Sequence, residues 1–316
     1  MFNYILRRIL IIIPVLIGVT IISFIIINMA PGSPVDMMVD PSISAADIAA
    51  RKEALGLNDP LYIQYFNWAK NMLHGDMGYS MTSYRPVSEI IGERMGPTFI
   101  LMGLSLLVGL IIAIPLGIIS ATKQNSKLDY ISTALSLIGI SVPVFFLALS
   151  FIYIFSLKLK LLPSGGMVTL GRGGDFIDRL KHLILPVSVL GIFVAGKEVR
   201  YVRSSMLEIL DQDYLRTARS KGLAEALVIN KHALRNALIP IVTVIGIEVA
   251  SLMGGAVITE SVFSWPGIGR LTIESIMSRD YPTLMSLNFI AAVIVLGTNL
   301  VTDILYSVID PRIKYK

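Results

Sequence analysis

The side chains that most often carry out chemistry are few and scattered in this sequence. The three histidines, His74, His182 and His232, lie far apart and lack the close spacing of metal ligands. There is no cysteine, which excludes disulfides, thiol nucleophiles and cysteine–zinc sites. No Gly-x-Ser-x-Gly turn is present to expose a serine nucleophile. We therefore predict no catalytic residue, no metal site and no cofactor bound by this chain.

One segment has the spacing of a phosphate-binding loop, from Gly191 to Gly196, Lys197 and Glu198. Such a loop follows a strand and needs Ser or Thr after the lysine to hold magnesium. Here Glu198 follows the lysine, and both glycines lie within an apolar helical segment. The pattern instead indicates small residues for close helix packing, with Lys197 as an anchor at the inner leaflet. We do not expect this chain to bind or hydrolyse ATP.

Ionisable groups inside long apolar segments are the stronger candidates for function. Glu248 lies about ten residues into one such segment, about 200° around the helix from a stripe of small residues at every fourth position. If the stripe packs on another helix, Glu248 either faces a translocation path or is bonded between helices of two subunits, and both alternatives stay open. Asn299 and Asp303, one turn apart in the last apolar segment, are expected to hydrogen-bond between helices. The small residues of the stripe are Gly246, Ala250 and Gly254.

Composition indicates which elements must position these groups. Hydrophobic residues make up 54% of the 316 residues and charged residues 16%, and the mean hydropathy is +0.72. Exposed on a soluble protein, so much apolar surface favours aggregation, which argues against a cytosolic enzyme, a nucleic-acid binder or a disordered chain. Six apolar segments of about 20 residues predict an all-α integral membrane protein with six transmembrane helices. Pro143 should kink the third segment, whereas Pro186 falls in the first turn of the fourth. The segments are residues 9–29, 98–120, 131–157, 183–199, 238–261 and 287–309.

Lys and Arg residues are unequally divided between the two sides that six spans define. Fifteen of the 27 lie on the side of both termini, and eight of these fall between Lys197 and Arg235. Cytoplasmic loops carry the excess of Lys and Arg, so we predict that both termini are cytoplasmic. The net charge of +5 is then a sign of orientation and gives no reason to expect nucleic-acid binding. The predicted regions are an N-terminal span (1–30), an extracytoplasmic helical loop (31–96), a five-helix transmembrane domain (97–309) with a cytoplasmic loop at 203–237, and a cytoplasmic tail (310–316).

The extracytoplasmic loop contains two helix signals. A first helix is expected to begin at Ser44, three residues before Asp47, and to end at Gly56. A second helix, 60–74, follows a turn and is closed by Gly75. Its many aromatic and apolar side chains indicate an amphipathic helix that packs on its neighbours or, alternatively, a docking surface.

The cytoplasmic loop is longer than a simple helix–helix connection. Asp213 is expected to cap a short helix, 214–221, which Gly222 ends, and a second helical stretch, 224–237, leads into the fifth span. A helix this short does not stabilise itself. We therefore infer that it docks on a partner on the cytoplasmic side.

The same loop resembles the EAA loop of binding-protein-dependent ABC importer permeases, and more narrowly that of the dipeptide/oligopeptide permease family, of the first-subunit type with a large loop after the first span. The loop departs from the general pattern at Arg216 and Thr217, where Glu and Ala are usual, and at Arg235, where proline is usual. Both differences are typical of the peptide subfamily. The motifs that carry the resemblance are Asp213-Tyr-Leu-Arg-Thr-Ala-Arg-Ser-Lys-Gly222, His232-Ala-Leu-Arg-Asn-Ala-Leu-Ile-Pro240, Ala30-Pro-Gly-Ser-Pro34, Gly56-Leu-Asn-Asp-Pro60, Gly75-Asp-Met-Gly-Tyr-Ser80, Leu162-Pro-Ser-Gly-Gly166, Phe263-Ser-Trp-Pro-Gly-Ile-Gly-Arg270, Arg279-Asp-Tyr-Pro282 and Asp310-Pro-Arg312.

The resemblance implies a type I ABC importer permease fold and a transport function without catalysis in this chain. The implied partners are a second homologous permease, two ABC ATPase subunits that hold ATP and magnesium, an extracytoplasmic substrate-binding protein and the lipid bilayer. The implied cargo is di- or oligopeptides, moved by alternating access. Nickel, glutathione or an oligosaccharide stays open as cargo, and an ATP-independent secondary transporter is a distant alternative, since no convincing internal repeat is present. The residues implied in ATPase coupling are Asp213, Tyr214, Arg216, Thr217, Ala218, Lys221, Gly222, His232, Arg235 and Asn236.

Overall fold

The structure, a computed structural model, describes residues 2–29, 53, 56, 58–169, 171 and 175–309. In these ranges the chain is mainly helical, and they contain no β-strand, only an isolated antiparallel bridge between Tyr79 and Pro86. The helices are α1 (Phe2–Met29), α2 (Leu61–Leu73), α3 (Val87–Thr122), α4 (Lys127–Ser141), α5 (Val144–Phe151) with a π-helical continuation (Ile152–Lys158), α6 (Phe176–Leu210), α7 (Asp213–Ser220), α8 (Glu225–Leu227) with a π-helical continuation (Val228–Ala233), α9 (Leu234–Val262), α10 (Ile268–Met277) and α11 (Tyr281–Ile309).

Helices cover all six segments predicted as spans. Among the described residues, α1, α3, α6 and α11 are long and apolar enough to cross a membrane, and α4 with α5 makes a fifth span if the bent pair counts as one. The 29-residue helix α9 covers the remaining segment, and the count of six stays a prediction.

Two prolines act differently from the expectation. The third segment is broken: α4 and α5 meet at a bend of 97°. Val142 there is extended (φ −75°, ψ 123°), because Pro143 disfavours helical geometry in the residue before it and supplies no N–H. The fourth segment is the middle of a 35-residue helix, so Pro186 is interior, and the prediction that it lies in the first turn was wrong.

The core of the bundle is the contact between α3 and α6, which pack along each other. Glycines on α3 permit this approach, since a Cβ on Gly109 would lie 2.5 Å from Val194 and one on Gly117 would lie 2.6 Å from Val202. The helices α9, α4 and α5 pack against α6 around this core. The buried residues of the central cluster are Leu101, Met102, Val187, Leu190, Val194, Leu252, Ala256 and Trp265.

At the end of the bundle away from α7, α2 lies against α1 and α11. Tyr65 packs edge-on against Phe24 of α1, and Trp68 packs against Phe289 of α11. The helix ends at His74 and Gly75, and the glycine has φ +80°, which confirms the predicted second helix and its terminator. The predicted helix that begins at Ser44 lies outside the described residues.

Candidate coupling site and polar contacts within the bundle

The loop that was predicted to be cytoplasmic folds into the short helix α7, followed by a glycine turn. Gln212 occupies the N-cap position without a side-chain hydrogen bond, and Asp213 is the first helical residue. The prediction that Asp213 caps the helix was therefore wrong, since its carboxylate instead contacts Arg216 at 3.5 Å. Gly222 adopts φ +79°, the left-handed conformation that ends helices, as the sequence predicted.

One face of α7 is anchored within the chain by Leu215, which is fully buried. We call its surroundings the Leu215 socket, a set of apolar residues from the ends of α3 and α6 and from the stretch that leads into α9. The short helix therefore obtains stability from packing on its own chain while its other faces stay exposed. The buried residues of the socket are Ala121, Val202, Met206, Val228, Ala233 and Ala237.

The side chains implied in coupling lie mostly on the exposed surface around α7. Asn236 donates a hydrogen bond to the Tyr214 hydroxyl at 2.9 Å, which joins the two motif segments of the loop. Of the ten, only Ala218 and His232 are partly buried. The eight exposed ones are Asp213, Tyr214, Arg216, Thr217, Lys221, Gly222, Arg235 and Asn236.

An ion pair bridges the glycine turn. Arg219 on α7 and Glu225 on α8 are 2.9 Å apart, and Arg219 donates to both carboxylate oxygens. These hydrogen bonds lower the pKa of Glu225 and raise the pKa of Arg219. The pair links the two sides of the glycine turn, and both groups are ionised at neutral pH.

Glu248 is 4% exposed and lies at the contact between α6 and α9. Lys197 of α6 donates to both of its carboxylate oxygens at 3.4 Å and to Ser251 at 2.8 Å, and the ammonium lies 4.4 Å from the centre of the Phe193 ring. Glu248 thus bonds two helices of one chain. Lys197 points to this partner, so the interpretation of Lys197 as an inner-leaflet anchor was wrong.

The glycines around this pair behave as packing residues. A Cβ on Gly191 would lie 3.0 Å from Val108, and one on Gly196 would lie 2.9 Å from the Ser136 carbonyl oxygen. On α9, a Cβ on Gly246 would collide with the Thr302 side chain of α11, whereas Gly254 has open space around it. The small-residue stripe therefore packs tightly at one end only.

Glu198 follows Lys197, and in the sequence it served only to exclude a phosphate-binding loop. No sequence pattern marked it as a buried carboxylate. It is 0% exposed, and neither carboxylate oxygen has a hydrogen-bond partner. An ionised carboxylate without a donor is unfavourable in such a place.

Asn299 and Asp303, which were both predicted to bond between helices, have different environments in the structure. Asp303 of α11 forms an ion pair with Arg8 of α1 at 3.0 Å and thereby links the first and last helices. Asn299 is exposed on the surface of α11.

Sequence reasoning missed three buried carboxylates that hold elements together. Asp129 at the start of α4 binds Arg203 of α6 through two hydrogen bonds of 2.7 and 2.8 Å. A signal for it existed, because Ser126 with Asp129 three residues on is a helix-start pattern, and Ser126 caps α4 by accepting from the Asp129 amide.

The other two carboxylates lie at the end of the bundle that carries α2. Glu260 accepts hydrogen bonds from Thr98 at 2.6 Å and from the Arg270 amide at 3.1 Å, which fixes the start of α10. Asp280 accepts from Ser80 at 2.5 Å and from Thr283 at 2.8 Å, which ties the outer loop to α11. Asp280 belongs to the motif Arg279-Asp-Tyr-Pro282, and Glu260 lies just before the motif that runs from Phe263 to Arg270. Residues of these motifs therefore contact parts of the chain that are distant in sequence.

Taken together, the long apolar helices define a helical membrane protein with a short, mostly exposed helix between two of them. Among the described residues, no cluster of three or more His, Asp or Glu side chains is arranged to hold a metal ion. The chain belongs to the family of binding-protein-dependent transport system inner membrane components, whose family model matches residues 113–315. The N-terminal model of the same transport systems matches residues 1–102.

Relatives align along nearly the whole chain. The oligopeptide transport system permease protein AppB of Bacillus subtilis (strain 168) is 47% identical over 99% of both chains. The dipeptide transport system permease protein DppB of Escherichia coli (strain K12) and the glutathione transport system permease protein GsiC of Salmonella choleraesuis (strain SC-B67) are each 39% identical over 100% of both chains.

A solved structure shares the fold. Inward-facing MetNI methionine ABC transporter contains a chain that aligns with a TM-score of 0.60 and 17% identity, over 71% of this chain and 97% of that one. The type I importer permease fold expected from the resemblance is thereby confirmed. The chain is the multi-pass membrane component of an ABC transport system, and membership implies separate ATPase and partner subunits.

Proposed function

We propose that this chain is the permease subunit of an ATP-driven importer that carries di- and oligopeptides into the cell by alternating access. The observation that carries the proposal is the exposed helix α7, held by Leu215 and surrounded by the coupling motif. The names of the relatives AppB and DppB support peptides as cargo. Glutathione, the substrate named for the third relative, is itself a small peptide, so it belongs to the same chemical class.

The complete machine in this proposal contains a second homologous permease, two ATPases that hold ATP and magnesium, and an extracytoplasmic binding protein. The α7 surface docks on one ATPase through residues such as Arg216 and Lys221. Both termini and α7 face the cytoplasm, as the distribution of Lys and Arg supports.

We further propose that the Lys197–Glu248 pair borders the translocation path. Glu248 lies 14 residues from each end of α9, which places it about 21 Å from either end and near the middle of the bilayer. Charged groups at that depth are commonly functional. Lys197 keeps 24% of its side chain exposed, so the cationic partner of the pair is the one that contacts the surroundings.

The decisive experiment is uptake by the complete transporter in proteoliposomes with ATP inside. Labelled di- to pentapeptides should accumulate only when the binding protein and ATP are both present. Accumulation of nickel or an oligosaccharide in place of peptides would contradict the cargo, and uptake without ATP would contradict the importer.

A further inference from the structure

Asp129 is the most completely engaged carboxylate near the cytoplasmic loop. It is 3% exposed and receives two hydrogen bonds from the Arg203 guanidinium, at 2.7 and 2.8 Å. The Asn125 amide donates to it at 3.0 Å, and the Ser120 hydroxyl donates to it as well. One side chain of α4 thus binds α3, the turn after α3, and α6.

The partners of Asp129 adjoin the socket that holds the coupling helix. Ser120 directly precedes Ala121, and Arg203 directly follows Val202, and both apolar neighbours belong to the Leu215 socket. The Asp129 contacts therefore fix the relative positions of the helix ends on which α7 packs.

The energetics of the Asp129–Arg203 pair favour a role in orienting helices over a role in stabilising the fold. A buried ion pair contributes little net stability compared with apolar packing, because both charges lose water. A bidentate guanidinium–carboxylate pair does, however, fix distance and orientation in a way that apolar contacts do not. The α4 helix needs such a link, because it is broken from α5 by the 97° bend and is short by itself.

We propose that the Asp129–Arg203 pair positions α4 so that it moves as one body with α6 and the coupling helix. When an ATPase moves, it displaces α7, and Leu215 transmits the displacement to α3 and α6 at the socket. The Asp129 carboxylate then makes α4 move with α6. Without the pair, the socket moves and α4 does not follow, so ATP is hydrolysed without transport. This proposal rests on the proposed function of α7 as a coupling helix.

The first test is the number of ATP molecules hydrolysed per peptide imported by the complete transporter in proteoliposomes. Asp129→Asn and Arg203→Lys should each raise this ratio about tenfold while ATPase activity and assembly persist. The exchanged pair Asp129→Arg with Arg203→Asp should recover part of the coupling. Arg85→Lys is the matched control, since it alters an exposed ion pair with Glu93 on the other side of the bundle and should leave the ratio within about twofold of wild type.

An unchanged ratio in Asp129→Asn would overturn the proposal, and so would a parallel loss of ATPase activity, transport and assembled protein, which indicates a structural role only. A second measurement does not depend on the cargo. Because the chain has no cysteine, Lys127→Cys on α4 and Ser220→Cys at the end of α7 place one pair of spin labels in this chain. Their distance should stay constant between nucleotide-free and ATP-bound transporter and should change with nucleotide in Asp129→Asn.

The two measurements separate the two proposals. A wild-type complex that imports no peptide but keeps the labelled distance constant contradicts the proposed cargo and leaves the positioning role supported. A wild-type distance that changes with nucleotide contradicts the positioning role, whatever the cargo.

Discussion

At the scale of single residues, the acidic side chains buried between the helices fall into two kinds. Asp129 and Glu260 accept several hydrogen bonds, and Glu248 pairs with Lys197. Glu198 follows Lys197 in the chain, and neither of its carboxylate oxygens has a hydrogen-bond partner among the described residues. Glu248 therefore has a hydrogen-bond donor and Glu198 has none among the described residues.

This difference gives a prediction for Glu248 and Glu198. Glu248→Gln should reduce uptake and alter the preference among peptides, because it leaves the Lys197 ammonium without its counter-ion beside the path. It should also lower the stability of the purified transporter by roughly 1–3 kcal/mol, less than the roughly 3–5 kcal/mol for breaking a fully buried pair, because Lys197 is partly exposed.

The matched variant is Glu198→Gln, which replaces a carboxyl that has no donor by an amide of the same shape. It should keep uptake and equal or exceed the wild-type melting temperature, measured by tryptophan fluorescence in detergent. Unchanged uptake and unchanged peptide preference in Glu248→Gln would contradict a role beside the path. A marked destabilisation in Glu198→Gln would show that Glu198 has a partner in the assembled transporter.

At the scale of elements, the proposed coupling helix α7 is a short segment whose position is fixed at two residues. Leu215 fixes its buried face, and Gly222 reverses the chain after it in a left-handed conformation. A Cβ at Gly222 would meet open space, so the requirement for glycine there comes from the backbone and not from crowding.

Gly222→Val should therefore leave the protein in the membrane at its normal level while ATP hydrolysis is uncoupled from peptide uptake. A branched side chain at positive φ costs about 1–2 kcal/mol or more, enough to shift the short helix without unfolding the bundle. The control is Gly254→Ala on α9, which lies in helical geometry with open space and should transport normally. Both rates are measured in the same proteoliposomes, and coupled transport by Gly222→Val would contradict the prediction.

Much of the element scale was predictable from the sequence, because it follows from local patterns. Apolar length located the long helices, and Gly75 and Gly222 marked where helices end. The break at Pro143 was predicted only as a kink, since the sequence does not reveal whether neighbours support the helix across a proline.

What escaped prediction depends on contacts distant in sequence. Glu260 and Thr98 are 162 residues apart, and Asp129 and Arg203 are 74 residues apart, so no local pattern pairs them. Lys197 was interpreted from its position near the inner leaflet, and its partner Glu248 was known only as an acidic residue in another segment. The candidate site was therefore predictable as a loop, whereas its attachment to the bundle was not.

At the scale of the whole molecule, the helices connect two polar ends with different structures. One end carries α2 and the contacts of Asp280 with the outer loop, and the other carries α7 and the Leu215 socket. In the proposed importer the first end contacts the binding protein and the second end contacts an ATPase. The mechanism therefore requires that the two ends lie on opposite sides of the bilayer.

The chain is well suited to a test of this placement, because it contains no cysteine and any introduced thiol is unique. Tyr62 on α2 is 64% exposed, and Lys221 after α7 is exposed as well. On intact cells without an outer membrane barrier, a membrane-impermeant maleimide should label Tyr62→Cys and should label Lys221→Cys only after permeabilisation. Because the excess of Lys and Arg determines orientation during insertion, labelling of Lys221→Cys on intact cells would contradict both the charge argument and the docking of α7 on a cytoplasmic ATPase.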